Sequence, residues 1–155
     1  MRGTRIAAIL IVLSVFGCGA RDIAPYQAAL DSLGLPSAWQ VAKTLVRSQG
    51  GADGCFEVIN GNCPSITRYY VTSGPLPDLM KLANDAAAAN GFDDIVISDP
   101  VCDSATSTIA PACFMTAKKS DMALEVTVYR PGVDVDGLGI SVPDHATVRM
   151  ILRHN

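Results

Sequence analysis

The residues of this chain able to move protons, hold metals or form covalent bonds are two histidines, five cysteines and fifteen carboxylates. His145 follows Asp144 at the start of a strand-like stretch, which makes its imidazole a candidate general base oriented by a carboxylate. No G-x-S-x-G elbow or comparable nucleophile motif accompanies it, so the plainer assignment is an exposed turn histidine. His154 is one residue from the end and is expected in a frayed tail. Asp53, Glu57, Asp93, Asp94 and Asp99 fall on expected loops, where an acid–base pair can be assembled but no spacing announces one. The run Asp134-Val135-Asp136-Gly137-Leu138-Gly139 has part of a calcium loop's composition. It lacks the third Asp or Asn before Gly137 and the distant closing Glu, and Val133 and Val135 point instead to an ordered turn. Gly137-Leu138-Gly139 is no phosphate loop, having neither a Walker lysine nor a third Rossmann glycine before a helix. No catalytic residue, metal site or cofactor is therefore assigned.

Four of the cysteines form two close pairs in the sequence, Cys55 with Cys63 and Cys102 with Cys113. Neither has the C-x₂₋₄-C spacing of a zinc site, which leaves disulfides as the expected chemistry. Four cysteines allow three connectivities. We expect the two local ones, Cys55–Cys63 and Cys102–Cys113, because Asn60-Gly61 is a tight-turn signal that folds Cys63 back toward Cys55. Each closed loop would contribute about 2.5–3 kcal/mol on the chain-entropy model.

The fifth cysteine, Cys18, follows a charged start with Arg2 and Arg5, an apolar run from Ile6 to Phe16, and Gly17. The run is shorter than the roughly 20 residues a membrane span requires and fits the length of a cleaved signal. Val15-Phe16-Gly17-Cys18 resembles the lipobox of bacterial lipoproteins, with Val15 and Gly17 matching and Phe16 bulkier than usual. The resemblance implies diacylation of the Cys18 thiol, a cut just before it, and a protein held to the cell membrane on its extracytoplasmic side, where the environment is oxidising. Two other outcomes stay open: a cut after Ala20 by ordinary signal peptidase, and retention of the run as an anchor. Setting Cys18 aside leaves an even number of cysteines, as complete pairing requires.

The expected domains are a signal peptide over 1–17, a lipid-anchored tether over 18–24 and one extracytoplasmic domain over 25–155. Loss of Arg2 and Arg5 with the leader takes the net charge from −3 to near −5. That sign argues against nucleic acid, whose binding rests on clustered Lys and Arg. It also supplies no polybasic patch for anionic lipid, so membrane attachment falls to Cys18. The mean hydropathy of +0.28 is raised by the leader.

The elements that must position these groups follow from periodicity. Pro25 opens a short helix with Tyr26, Ala29, Leu30 and Leu33 at helical spacing, ended by Gly34 and Pro36. Trp39 to Val46 reads as a strand with Trp39, Val41 and Leu45 on one face, interrupted by Lys43; Trp39 is expected as a buried anchor rather than a carbohydrate-stacking platform. Ile66 to Thr72 is a second strand, and Asp78 to Asn90 a helix with Leu79, Leu82, Ala83 and Ala86 as its apolar stripe and Asn90-Gly91 as its stop. Ile95-Val96-Ile97 is a short strand. Cys113 to Lys118 and Met122 to Tyr129 form a hairpin whose second arm turns Met122, Leu124, Val126 and Val128 inward and Glu125, Thr127 and Tyr129 outward. After a Gly/Asp loop over 131–143, a last strand alternates Ala146, Val148, Met150 and Leu152 against Thr147, Arg149, Ile151 and Arg153. These elements imply an α+β fold: a mostly antiparallel sheet of about six strands with the main helix and the short N-terminal helix on one face, braced by two local disulfides. The stretch from Ile66 to Ser98 has the makings of a right-handed βαβ crossover, and Arg149, Arg153, Glu125 and Thr127 are expected on the solvated face.

Beyond the leader, Leu33-Gly34-Leu35-Pro36 before a tryptophan strand, the local cysteine pairs and the Asp134 to Gly139 segment before the last strand resemble small actinobacterial lipoproteins of unknown function. The resemblance implies a location and no mechanism. The expected role is a non-enzymatic, lipid-anchored envelope domain that binds a partner protein or envelope component. The alternatives are a small envelope hydrolase with loop-borne acid/base residues and an accessory subunit of an export or wall-assembly complex.

Overall fold

Strand β1 (Gln40–Arg47) pairs antiparallel with β2 (Ser65–Thr72), and β2 does not pair next with its successor in sequence but with the last strand, β6 (Ala146–His154). Strands β3 (Asp93–Ser98), β4 (Cys113–Lys119) and β5 (Met122–Tyr129) form a meander whose last member closes on the other side of β6. The result is a six-stranded sheet in the order β1-β2-β6-β5-β4-β3. The structure, a computed structural model, describes residues 23–47, 64–98 and 113–155. The leader, the tether up to residue 22, and the segments 48–63 and 99–112 lie outside the described residues.

Every neighbouring pair is antiparallel, and four such pairings separate β2 from β3, so those two strands run parallel. Helix α2 (Leu76–Ala89) connects them as a crossover over one face, lying on β4 and β5, while α1 (Ala24–Asp31) lies on β2 and β6. The α+β architecture with both helices on one face therefore stands. Among the described residues, no helix is long and apolar enough to cross a membrane.

The main core lies between the helices and the sheet. Leu124, Val126 and Val128 of β5 and Val148, Met150 and Leu152 of β6 are fully buried, as their alternation requires. Trp39 is buried just before β1, its ring 5.8 Å from that of Tyr70 in an edge-on contact, and Tyr26 packs from α1. Arg68 also sits on this face, held by Asp31 of α1 at 2.7 Å.

Helix α2 packs Leu79, Met80, Ala83 and Ala87. Leu82, expected in the stripe, is 41% exposed, because the helix is rotated so that Met80 takes the inward position. Ala87 is buried completely, letting helix and sheet approach closely. The helix ends as Asn90-Gly91 predicts. Gly91 takes a φ of +76°, its N–H donates to the Ala88 carbonyl at 3.0 Å, and the Phe92 N–H donates to the Ala87 carbonyl at 3.1 Å. Lys119 at the end of β4 donates to the Asn90 carbonyl at 2.7 Å, fastening the helix end to the hairpin.

In β1, Val41 is opposite Tyr70 and Lys43 is opposite Tyr69, so an irregularity at Ala42 breaks the alternation. Val41 therefore shares the helix-side face with Thr44 and Val46, whereas Lys43 and Leu45 turn to the other. The expected grouping of Val41 with Leu45 does not hold: the irregularity at Ala42 turns Val41 to the opposite face, while Lys43 stays on the face of Leu45.

Candidate functional site

The second face of the sheet carries Thr67, Tyr69 and Val71 from β2, Thr147, Arg149, Ile151 and Arg153 from β6, and Glu125, Thr127 and Tyr129 from β5. It was expected to face water. Half of it does not: Thr127 is 1% and Tyr129 7% exposed, because the 130–145 segment folds across them. Val135 and Ile140 bury themselves against Tyr69 and Tyr129, with Val133, Leu138 and Val71 around them, as a second small core.

A polar clamp fixes this covering segment. Asp136 takes a left-handed φ of +55° in a short turn over Val135–Gly137, a conformation that Asp tolerates better than most residues. Its carboxylate accepts a hydrogen bond from the Tyr69 hydroxyl at 2.8 Å and from Arg149 Nη1 at 3.1 Å. Arg149 Nη2 donates to Thr127 Oγ1 at 3.2 Å, and its guanidinium lies 5.6 Å from the Tyr129 ring centre. Burial pushes the Tyr69 hydroxyl up to about 12, reinforced by the proton it gives Asp136 and opposed by the positive charge of Arg149. Burial likewise raises Tyr129. Asp134, the other acid of the run, accepts the Gly139 N–H at 2.9 Å. The segment is an ordered turn, and both acids serve its folding.

Beyond the clamp the face is open. A surface cavity of about 410 Å³ is lined by Leu45, Thr67 and Ile151, by the Arg153–Glu125 ion pair, and by Arg47 and Ser65 at its end. It borders β1, which no strand pairs on its outer side among the described residues. There Val41 is 55%, Leu45 40% and Val46 54% exposed, a concentration of apolar side chains on an edge strand.

His145 lines a second cavity of about 490 Å³ at the opposite end of β1 and β2, with Gln40, Val71, Thr72, Ser73 and Val142. Its Nδ1 is buried with no hydrogen-bond partner among the described residues, and no Asp or Glu lines the cavity. The pairing of His145 with an orienting carboxylate is not formed there. His154 is not in a frayed tail: it pairs with Met122 as part of β6, and the Asn155 N–H donates to the Asp121 carbonyl at 2.7 Å. Its Nδ1 is 3.8 Å from Asp121, too far for a hydrogen bond.

Asp93 and Asp94 open β3 beside a strand irregularity rather than facing another acid across a cleft. Asp53, Glu57 and Asp99 lie outside the described residues. Among the described residues no three His, Cys, Asp or Glu side chains converge as metal ligands do. Cys113 is buried at the start of β4, and its sulfur is not a free thiol. Cys18, Cys55, Cys63 and Cys102 lie outside the described residues.

The link that residue spacing did not announce is the one joining Tyr69 to Asp136 across the fold. Only Val133 and Val135, on either side of Asp134, hinted at an ordered turn here. Comparison of the chain with protein-family models, with curated proteins and with solved structures found no match in any of the three.

Proposed function

We propose that this protein is a lipid-anchored domain of the cell envelope that binds a partner and performs no chemistry of its own. The observation that carries the binding half is the edge of β1, where Leu45 is exposed beside the open half of the second face and Val41 and Val46 are exposed on the helix-side face. Leaving such side chains exposed forfeits about 25 cal/mol per Å² of apolar area, which a partner recovers on covering them. The charged groups of the second face support the same reading. Asp136 is committed to Tyr69 and Arg149, and Glu125 to Arg153.

The anchoring half is supported by the leader: Arg2 and Arg5, the short apolar run, and Gly17-Cys18. Cys18 takes the lipid, the chain is cut before it, and residues 18–24 tether the domain to the membrane's extracytoplasmic side. In that oxidising setting the remaining cysteines pair as Cys55–Cys63 and Cys102–Cys113. The test is fractionation and intact mass of the protein expressed in a bacterial host. The wild type is expected in membranes with a diacylglycerol-sized mass increase on Cys18, and Cys18→Ala is expected to lose both. Identical fractionation and an unmodified mass in the two proteins would refute the anchor.

A further inference from the structure

The side chains of β1 divide between the two faces of the sheet. On the helix-side face the strand presents Val41, Thr44 and Val46; on the other it presents Lys43 and Leu45. Lys43 and Arg47 are its only charged residues, both positive, in a chain whose net charge is negative. The nearest acids on that face, Glu125 and Asp136, are held by Arg153 and Arg149. Arg47 has a partner of its own, whereas among the described residues no hydrogen bond or ion pair holds the Lys43 ammonium. An unpaired strand edge offers a row of backbone donors and acceptors to any extended chain. A bulge and a lysine on such an edge discourage indiscriminate pairing, and both sit at residues 42–43.

We propose that β1 is a docking edge for an extended segment of a partner protein, which adds a seventh strand with apolar residues beside Val41 and Val46 and an acidic residue beside Lys43. The inference rests on the binding-domain reading and names the chemistry of the partner. Backbone hydrogen bonds would supply affinity, the valines the apolar contact, and Lys43 the selection of charge. A second copy of this chain would bring another cationic β1, so charge complementarity favours an acidic partner.

The test is a titration of the isotope-labelled full chain, in detergent micelles, followed by amide NMR. The probes are an eight-residue peptide alternating valine with glutamate and its counterpart alternating valine with lysine. The expected result is amide shifts concentrated over Gln40–Arg47, with the glutamate peptide binding at least about tenfold more tightly, and with the preference inverted by Lys43→Glu. The unchanged spectrum of β4 to β6 in Lys43→Glu is expected to report an intact fold. Equal binding of the two peptides, no binding, or shifts centred elsewhere would overturn the proposal. Protection of β1 that grows with protein concentration in the absence of peptide would do so too, by naming a second copy as the occupant. If neither peptide binds but a protein is still crosslinked to the domain in the envelope, the docking edge is wrong and the binding-domain reading survives. If nothing is crosslinked, the reading itself falls.

Discussion

The Tyr69 hydroxyl and the Asp136 carboxylate are 67 residues apart in sequence and 2.8 Å apart in space. Their hydrogen bond, joined by Arg149, holds the 130–145 segment over half of the sheet's second face. It thereby divides that face into a sealed half and the open half beside β1.

Removing the clamp should loosen the segment. Asp136→Ala leaves a buried tyrosine hydroxyl and a guanidinium without their acceptor, at an expected cost of about 1–2 kcal/mol given the partial exposure of the pair. Asp136→Asn, which keeps an acceptor and tolerates the left-handed backbone, should cost less. Chemical denaturation of both variants, together with amide exchange over 131–143, is the check.

Stability should fall at alkaline pH through Tyr69. The folded-state value of about 12 lies above the ordinary tyrosine value of 10.0, so the folded chain holds that proton more tightly than the unfolded chain does. The contribution is fully present below pH 10 and is lost as pH rises from 10 through 12. Tyr129 and Tyr70 are shifted the same way, both chiefly by burial. Tyr69→Phe should reduce the slope of melting temperature against pH in that window without abolishing it. An unchanged slope would show that Tyr69 titrates normally.

Leu79 and Leu82 of α2 should behave oppositely. Leu79→Ala, at a position 2% exposed, is expected to cost about 2–5 kcal/mol. Leu82→Ala, on the water side, should stay within about 0.5 kcal/mol. Urea midpoints decide between this orientation of the helix and one with Leu82 inside.

The pairing of Cys113 can be tested by a mutant cycle. If Cys102 is its partner, Cys102→Ala, Cys113→Ala and the double variant should lose similar stability, about 3 kcal/mol each. Additive losses would assign Cys113 a different partner. Peptide mapping without reductant gives the same answer covalently.

Much of the fold could be read from the chain because strands and helices advertise themselves by period. Alternation from Ala146 to Leu152 and from Met122 to Val128 gave the two central strands and their buried face, and Asn90-Gly91 gave the helix stop. What escaped had no period to betray it. Val133, Val135, Leu138 and Ile140 lie in a Gly/Asp-rich loop at spacings that fit neither helix nor strand, so their burial against Tyr69 and Tyr129 is a tertiary fact. The bulge at Ala42 moved Val41 away from Leu45 for a backbone reason that side-chain identity does not encode. The position of Leu82 turned on a small rotation between two apolar choices. The solvated face expected from Glu125 and Arg153 holds for only half of the sheet, because the covering segment seals Thr127 and Tyr129 and stops short of Thr67 and Ile151.

The central claim is that the open edge of an envelope-anchored domain binds a partner. A photocrosslinking residue placed at Leu45 of the full chain, irradiated in intact cells, tests it most directly. The account predicts a discrete protein adduct from Leu45, strongly reduced with Cys18→Ala, and no such adduct from Leu82 on the exposed side of α2. No adduct from Leu45, or the same adducts from both positions, would contradict it.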